Sequence, residues 1–298
     1  MADRVTTRLR ALLRRPQCTL APGVADALAA RLVALEGFEA VYMTGFGTSL
    51  TRLGMPDVGL LTASEMVDNA ARIADASGLP VVADADTGYG NPINTRRTIR
   101  DYEKAGVAGV HLEDQDWPKR CGHLAGKRVI PVADMVAKIQ AACDARRDAD
   151  FVIIARTDAI AVEGLDAALA RGERYREAGA DVLFIEAPVG RAEVERVARH
   201  FQGTPLLYNM AASGKTPDLA ADELGRLGFR LAIYPNWLLL AAIPAMQHVL
   251  RELKNTGSIA QLRDKVASFK QFTDIAGLPE IQRLEARYGV PEDRRAAL

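Results

Sequence analysis

Short runs of β-branched and small apolar residues alternate along the chain with segments whose apolar residues recur at helical spacing. The runs that read as strands are Thr19–Val24, Ala40–Gly45, Pro80–Asp86, Gly109–Asp114, Phe151–Thr157, Asp181–Ala187, Pro205–Met210 and Phe229–Pro235. Between them, Glu65–Ala76, Thr95–Ala105, Val132–Arg146 and Leu165–Ala178 carry apolar residues three and four apart, which gathers them on one helix face. Glycines mark several helix-to-strand returns, as in Ala105-Gly106-Val107, Ala178-Gly179-Ala180 and Leu227-Gly228-Phe229. Glycine accepts the left-handed backbone that ends a helix at such a point. Eight strand–helix repeats predict a (β/α)8 barrel rather than an open doubly wound sheet. The stretch 256–298 exceeds the repeat and reads as a helical C-terminal extension of one barrel domain covering 1–298.

Alternation within the strands carries the functional signal. In a barrel strand every second side chain points inward. Val82, Asp84 and Asp86 share one parity, as do His111 with Glu113, Ile154 with Arg156, Phe184 with Glu186, and Leu207 with Asn209. Tyr42 and Thr44 end the second run, just before Gly45-Phe46-Gly47. Each of these strands thus puts a polar residue at its C-terminal end, the rim where barrel enzymes keep their chemistry.

Composition narrows the class further. Of 298 residues, Lys plus Arg number 38 and Asp plus Glu number 38, so nothing in the charge balance favours nucleic acid or an anionic membrane. No apolar run is long enough to span a bilayer, and Met1-Ala2-Asp3-Arg4-Val5 does not open a signal peptide. Cys18, Cys121 and Cys143 form neither a CxxC pair nor a disulfide framework, which suits a cytoplasmic protein. One of them is singled out by its neighbours: Lys119-Arg120-Cys121-Gly122-His123 sets a thiol among cations, the setting of a reactive cysteine. Asp84, Asp86 and Glu113, at neighbouring strand ends, suit a hard divalent cation that keeps some of its waters. His111 reads as a hydrogen-bonded core histidine, and the arginines between Arg10 and Arg15 as a solvated helix face.

Together, Thr44-Gly45-Phe46-Gly47, Leu53-Gly54-Met55-Pro56-Asp57, Asp84-Ala85-Asp86-Thr87-Gly88, Leu112-Glu113-Asp114-Gln115, Lys119–His123, Ala155-Arg156-Thr157-Asp158 and Asn209-Met210 resemble the isocitrate lyase/phosphoenolpyruvate mutase superfamily. The likeness covers nearly the whole chain and is to the short members in particular, of the 2-methylisocitrate lyase and 2,3-dimethylmalate lyase type. The resemblance implies a (β/α)8 barrel whose eighth helix is exchanged between subunits of a homotetramer. It also implies cleavage of a small-molecule 2-hydroxy di- or tricarboxylate, in the retro-aldol sense, to pyruvate and a carboxylate. Mg²⁺, with Mn²⁺ as a substitute, would be held by Asp84 and Asp86, with Glu113 in the outer ring. Cys121 would be the general acid, assisted by Arg120 and His123, and Arg156 the cation for carboxylate and oxyanion. Thr44, Gly45 and Phe46 would cradle the α-keto acid carboxylate. Glu186, Asn209 and Pro235 would complete the wall, Asp57, Lys119, Arg120 and Gly122 would join in binding substrate, and the Lys119–His123 loop would close as a lid. Tyr42 is one candidate base for the 2-hydroxyl proton, hydroxide at the metal the other. The segment after Asn209 lacks an early acidic residue found in several 2-methylisocitrate lyases, which favours a smaller alkylated malate. The rivals on the same fold are a carboxyphosphonoenolpyruvate phosphonomutase and an oxaloacetate decarboxylase or hydrolase.

Overall fold

Eight parallel strands close into a barrel in the computed structural model, which describes residues 3–122, 126–212 and 216–296. The strands are β1 (Thr19–Val24), β2 (Val41–Met43), β3 (Val81–Asp84), β4 (Gly109–Glu113), β5 (Val152–Thr157), β6 (Val182–Ile185), β7 (Leu206–Asn209) and β8 (Phe229–Tyr234). They pair in chain order, and β1 pairs with β8 to shut the ring. The helices before and between the strands are α1 (Val5–Arg14), α2 (Ala27–Leu35), α3 (Gly45–Leu53), α4 (Ala63–Ser77), α5 (Pro92–Lys104), α6 (Val132–Ala145), α7 (Ile160–Glu163), α8 (Leu165–Glu177), α9 (Gly190–His200) and α10 (Ala221–Leu227). Then follow α11 (Trp237–Thr256), α12 (Phe269–Ala276) and α13 (Leu278–Arg287). The chain forms two compact units, residues 1–239 and 240–298.

Strand parity sorts the core of the first unit into two layers. Tyr42, Val82, Ile154, Phe184 and Leu207 pack with Ala21, Val152, Leu231 and Ile233 inside the barrel. Val41, Met43, Val81, Val110, Leu112, Ile153, Leu183 and Tyr208 face the surrounding helices. Leu9, Leu12 and Leu13 of α1 belong to the inner cluster, so this helix stops the barrel with an apolar plug. Arg14 and Arg15 are exposed, as expected of a solvated face, but Arg10 is not. Arg10 ion-pairs with Asp181 at 2.8 Å and donates to the carbonyls of Ala149, Asp150 and Phe151. The arginine is a tie between α1 and the barrel wall, because α1 lies against it.

Several predicted strands are shorter than expected. The third ends at Asp84, since Asp86 takes a left-handed φ of 46° and donates its N–H to Asp84 Oδ1 at 2.9 Å. Alternation therefore does not deliver Asp86 to the rim; a tight turn does. The glycines expected at helix ends do sit in the left-handed region, with φ of 83° at Gly106, 107° at Gly179 and 102° at Gly228.

In the second unit, α12 opens with a capping box between Ser268 and Gln271. Leu250, Phe269, Phe272 and Ile281 are exposed.

Candidate functional site

At the C-terminal rim the side chains singled out by parity converge. Tyr42 OH and His111 Nε2 share a hydrogen bond at 2.9 Å, and the same nitrogen lies 3.5 Å from Asp84 Oδ1. Burial drives the His111 pKa down to about 4, so the ring is neutral near pH 7. Burial, reinforced by the Asp84 charge, raises Tyr42 well above its ordinary value. A phenol held protonated is a hydrogen-bond donor and a poor base.

Asp84 is placed by two local contacts. Its Oδ1 accepts from Asp86 N–H, and its Oδ2 accepts from Gly45 N–H at 3.2 Å, at the start of α3. A Cβ on Gly45 would come within 2.5 Å of Asp84 Oδ2, which explains the glycine. Thr44 caps α3 through its side chain, and Phe46 in the first turn is about one-third exposed. Burial works against the Asp84 charge, but His111, Lys119 and Arg156 outweigh it and leave its pKa lowered. In Asp86 burial prevails over Lys119, and the pKa rises to about 6. Glu113 is pushed up by burial despite Arg156 3.5 Å away, and its Oε1 has no hydrogen-bond partner among the described residues.

Between β4 and α6, the described residues 115–122 and 126–131 form two arms that meet in an antiparallel bridge between Gln115 and Val129. Lys119 is buried in this excursion, its ammonium 2.7 Å from Asp57 and 2.6 Å from Asp86. The Gln115 amide clasps the backbone of Arg120 on both sides, at 2.9 Å each. Cys121 N–H donates to the Asp57 carbonyl at 3.1 Å, and the thiol is half-buried. Gly122 packs so tightly that a Cβ would lie 2.5 Å from Arg156 Nη2 and 2.6 Å from Glu186 Oε1. His123 falls outside the described residues.

Arg156 lies over the Phe184 ring, 5.0 Å from its centroid, and within 3.9 Å of Glu186. Asn209 Nδ2 donates to both Glu186 oxygens at 3.2 Å, leaving Asn209 Oδ1 without a partner among the described residues. Pro235 follows β8 and presses on Gly23, where a Cβ would sit 2.4 Å from its Cα. The nearby Trp237 indole donates to the Met210 carbonyl at 2.7 Å, so it is fastened rather than free to swing into the site.

Asp158 and Lys127 were singled out neither by parity nor as candidate site residues. Asp158 binds Arg156 through two bonds, and Lys127 reaches both Asp158 and the Gly122 carbonyl. Asp158 does lie in the Ala155–Asp158 segment, but beyond the strand end alternation says nothing about it. Its neighbour Asp114 is a buttress, accepting from Thr157, Tyr175 and the Asp158 backbone.

Among the described residues, no three His, Cys, Asp or Glu side chains converge tightly enough to hold a metal by themselves. Asp84, Asp86 and Glu113 are nevertheless all-oxygen donors, and the orphaned Glu113 Oε1 awaits a partner. That donor set fits Mg²⁺, which accepts few protein ligands and keeps several waters.

Comparison with known proteins follows the same lines. The family model described as phosphoenolpyruvate phosphomutase matches residues 9–254. The chain is 47% identical to a 2,3-dimethylmalate lyase of Eubacterium barkeri, over 94% of this chain and 97% of that one. It is 43% identical to a chloroplastic carboxyvinyl-carboxyphosphonate phosphorylmutase of Arabidopsis thaliana, over 96% of this chain and 85% of the relative. The solved structure of a 2,3-dimethylmalate lyase superposes with a TM-score of 0.93 at 39% identity, covering 100% of both chains. The chain therefore belongs to the phosphoenolpyruvate mutase/isocitrate lyase superfamily.

Proposed function

We propose that the protein is a Mg²⁺-dependent carbon–carbon lyase that cleaves a 2-hydroxy dicarboxylate of the 2,3-dimethylmalate type to pyruvate and a carboxylate. The observation that carries this reading is the Cys121 arm. Its thiol-bearing backbone is tied to Asp57, and the next residue packs on Arg156 and Glu186. These contacts support a proton donor working beside a cationic carboxylate site. The naming of relatives as lyases over nearly full length supports it.

Asp84, Asp86 and Glu113 are the residues that would hold the metal, largely through water. When bound, Mg²⁺ supplies Lewis acidity that lowers the pKa of the substrate hydroxyl. The remaining work falls to this chain's side chains. Arg156, buried and oriented by Asp158, binds the carboxylate on which negative charge accumulates as the bond breaks. The start of α3 around Thr44, Gly45 and Phe46 orients the carboxylate that leaves as part of pyruvate, with the Phe46 N–H as donor, since the Thr44 N–H is held by the Val24 carbonyl and the Gly45 N–H by Asp84. Tyr42, protonated, donates a hydrogen bond, and the substrate's hydroxyl proton would pass to hydroxide from solvent, the other candidate base. Cys121 delivers its proton to the carbanion, with Arg120 and His123 assisting. Lys119 and Asp57 tether the arm, and Gly122 lets it close on the site. Glu186 and Asn209, joined by hydrogen bonds, complete the polar wall of the site, with Pro235 beside it.

A second reading, phosphonate rearrangement, is favoured by the 43% identity to the plant phosphorylmutase. It requires no proton from Cys121. We further propose a homotetramer in the cytoplasm. The exposed apolar side chains Leu250, Phe269 and Phe272 support assembly, and no helix among the described residues is long and apolar enough to cross a membrane.

The test is a coupled assay for pyruvate with Mg²⁺ across 2-methylisocitrate, 2,3-dimethylmalate, citramalate and oxaloacetate. Pyruvate from a hydroxy acid, abolished by EDTA, supports the lyase. Turnover of oxaloacetate alone, or of none of the four, rejects it and turns attention to phosphonates.

A further inference from the structure

Lys127 joins two parts of the site that lie far apart in its chemistry. Its ammonium donates to the Gly122 carbonyl and stands 3.0 Å from Asp158 Oδ1, with 3% of the side chain exposed. Asp158 grips Arg156, and Gly122 rests against the same guanidinium. The contacts form a ring. Asp158 fixes both Arg156 and Lys127, Lys127 fixes the Gly122 carbonyl, and Gly122 directly follows Cys121.

Among the described residues, the other tethers named above lie at or before the cysteine. Lys119 is held by Asp57 and Asp86, Arg120 by Gln115, and the Cys121 N–H by the Asp57 carbonyl. Those bonds fix where the arm enters but not the height at which it crosses Arg156. Lys127 supplies that missing constraint from the far side. A buried ammonium is costly unless it is fully paired, and this one is paired to one group of the arm and one group of the guanidinium's cradle. If Lys127 served only to neutralise Asp158, the bond to Gly122 would have no purpose.

We propose that Lys127 is a positioning residue, a latch that sets the Cys121–Gly122 arm at a fixed height over Arg156. It touches no reacting atom. Its effect on turnover rests on the lyase reading above, but its effect on the arm does not.

The experiment is hydrogen–deuterium exchange on the full-length protein, comparing wild type with Lys127→Met and Lys127→Arg, alongside turnover. In Lys127→Met, amides of residues 115–122 should exchange about tenfold faster or more, while those of 152–157 stay slow. Turnover should fall with little change in KM, and Lys127→Arg should restore both readouts toward wild type. If Lys127→Met does not fold, Lys127→Gln is read in the same way. Unchanged exchange over 115–122 in a folded variant overturns the latch, as does equal acceleration throughout the barrel. Deuterium uptake needs no substrate. Faster uptake in a protein without lyase activity therefore rejects the lyase reading and leaves the latch standing.

Discussion

Asp158 holds Arg156 in a two-pronged grip, Nε to Oδ2 at 2.9 Å and Nη2 to Oδ1 at 3.1 Å. Both partners are buried, and Lys127 adds a second cation to the same carboxylate. Asp158→Asn leaves those two cations short of compensation. The expected loss of stability at pH 7 is about 3–5 kcal/mol, read by denaturant titration, with turnover falling as Arg156 loosens.

The pH dependence of that loss has a definite sign. Burial opposes the Asp158 charge, but Arg156 and Lys127 overcome it and hold the carboxyl well below the usual range. A depressed carboxylate contributes stability that is fully present above its unfolded pKa, about 3.9. It is lost as pH falls from there through the folded value. The gap between wild type and Asp158→Asn should therefore be constant from pH 7 to about 5 and shrink below about 4. A gap that stays constant down to pH 3 would show that the charge of Asp158 is not what stabilises the fold.

Much of this geometry was legible in the strand pattern, and the limits are informative. Alternation placed Tyr42, Asp84, Glu113 and Arg156 correctly because each lies within a strand, where period two is enforced by the pleat. Asp86, Glu186 and Asp158 lie past strand ends. Their positions come from a left-handed turn, from the next residue Ala187 at φ 58°, and from hydrogen bonds to Asp114. Alternation did single out Asp86 and Glu186 for the site, but these local contacts, not the pleat, fix where they and Asp158 end up. Arg10 and Lys127 were illegible for a different reason, since their partners are 171 and 31 residues away in the chain. The length and packing of residues 240–298 lay outside what the barrel repeat predicts.

Gly45→Ala tests how closely the start of α3 approaches the carboxylates proposed to hold the metal. The added Cβ, 2.5 Å from Asp84 Oδ2, must displace that side chain. A shift of about 1 Å in such a group lowers turnover by about a hundredfold. Calorimetry should show weakened Mg²⁺ binding in the same variant. Full Mg²⁺ affinity with full activity would mean that Asp84 is not part of the ligand set.

The three cysteines should separate in native-state alkylation at pH 8. Burial raises the Cys18 thiol to about 12 and also raises Cys143, so neither forms much thiolate. Cys121 should be modified first, read by peptide mass spectrometry. Modification of Cys18 ahead of Cys121 in the folded protein would contradict the placement of the reactive thiol.

Cys121→Ser should leave Mg²⁺ affinity intact by calorimetry and lower turnover by about 10²–10⁴-fold, the range of a lost general acid. Unchanged turnover would remove the cysteine from the chemistry and favour phosphorus transfer.

The most direct test of the lyase chemistry follows the products by NMR, with 2,3-dimethylmalate, Mg²⁺ and the enzyme in D2O. The account predicts pyruvate and propionate in equal amounts, with one deuterium at C2 of propionate where the carbanion was protonated. Intact dimethylmalate, alongside turnover of a phosphonate substrate by the same preparation, would contradict it.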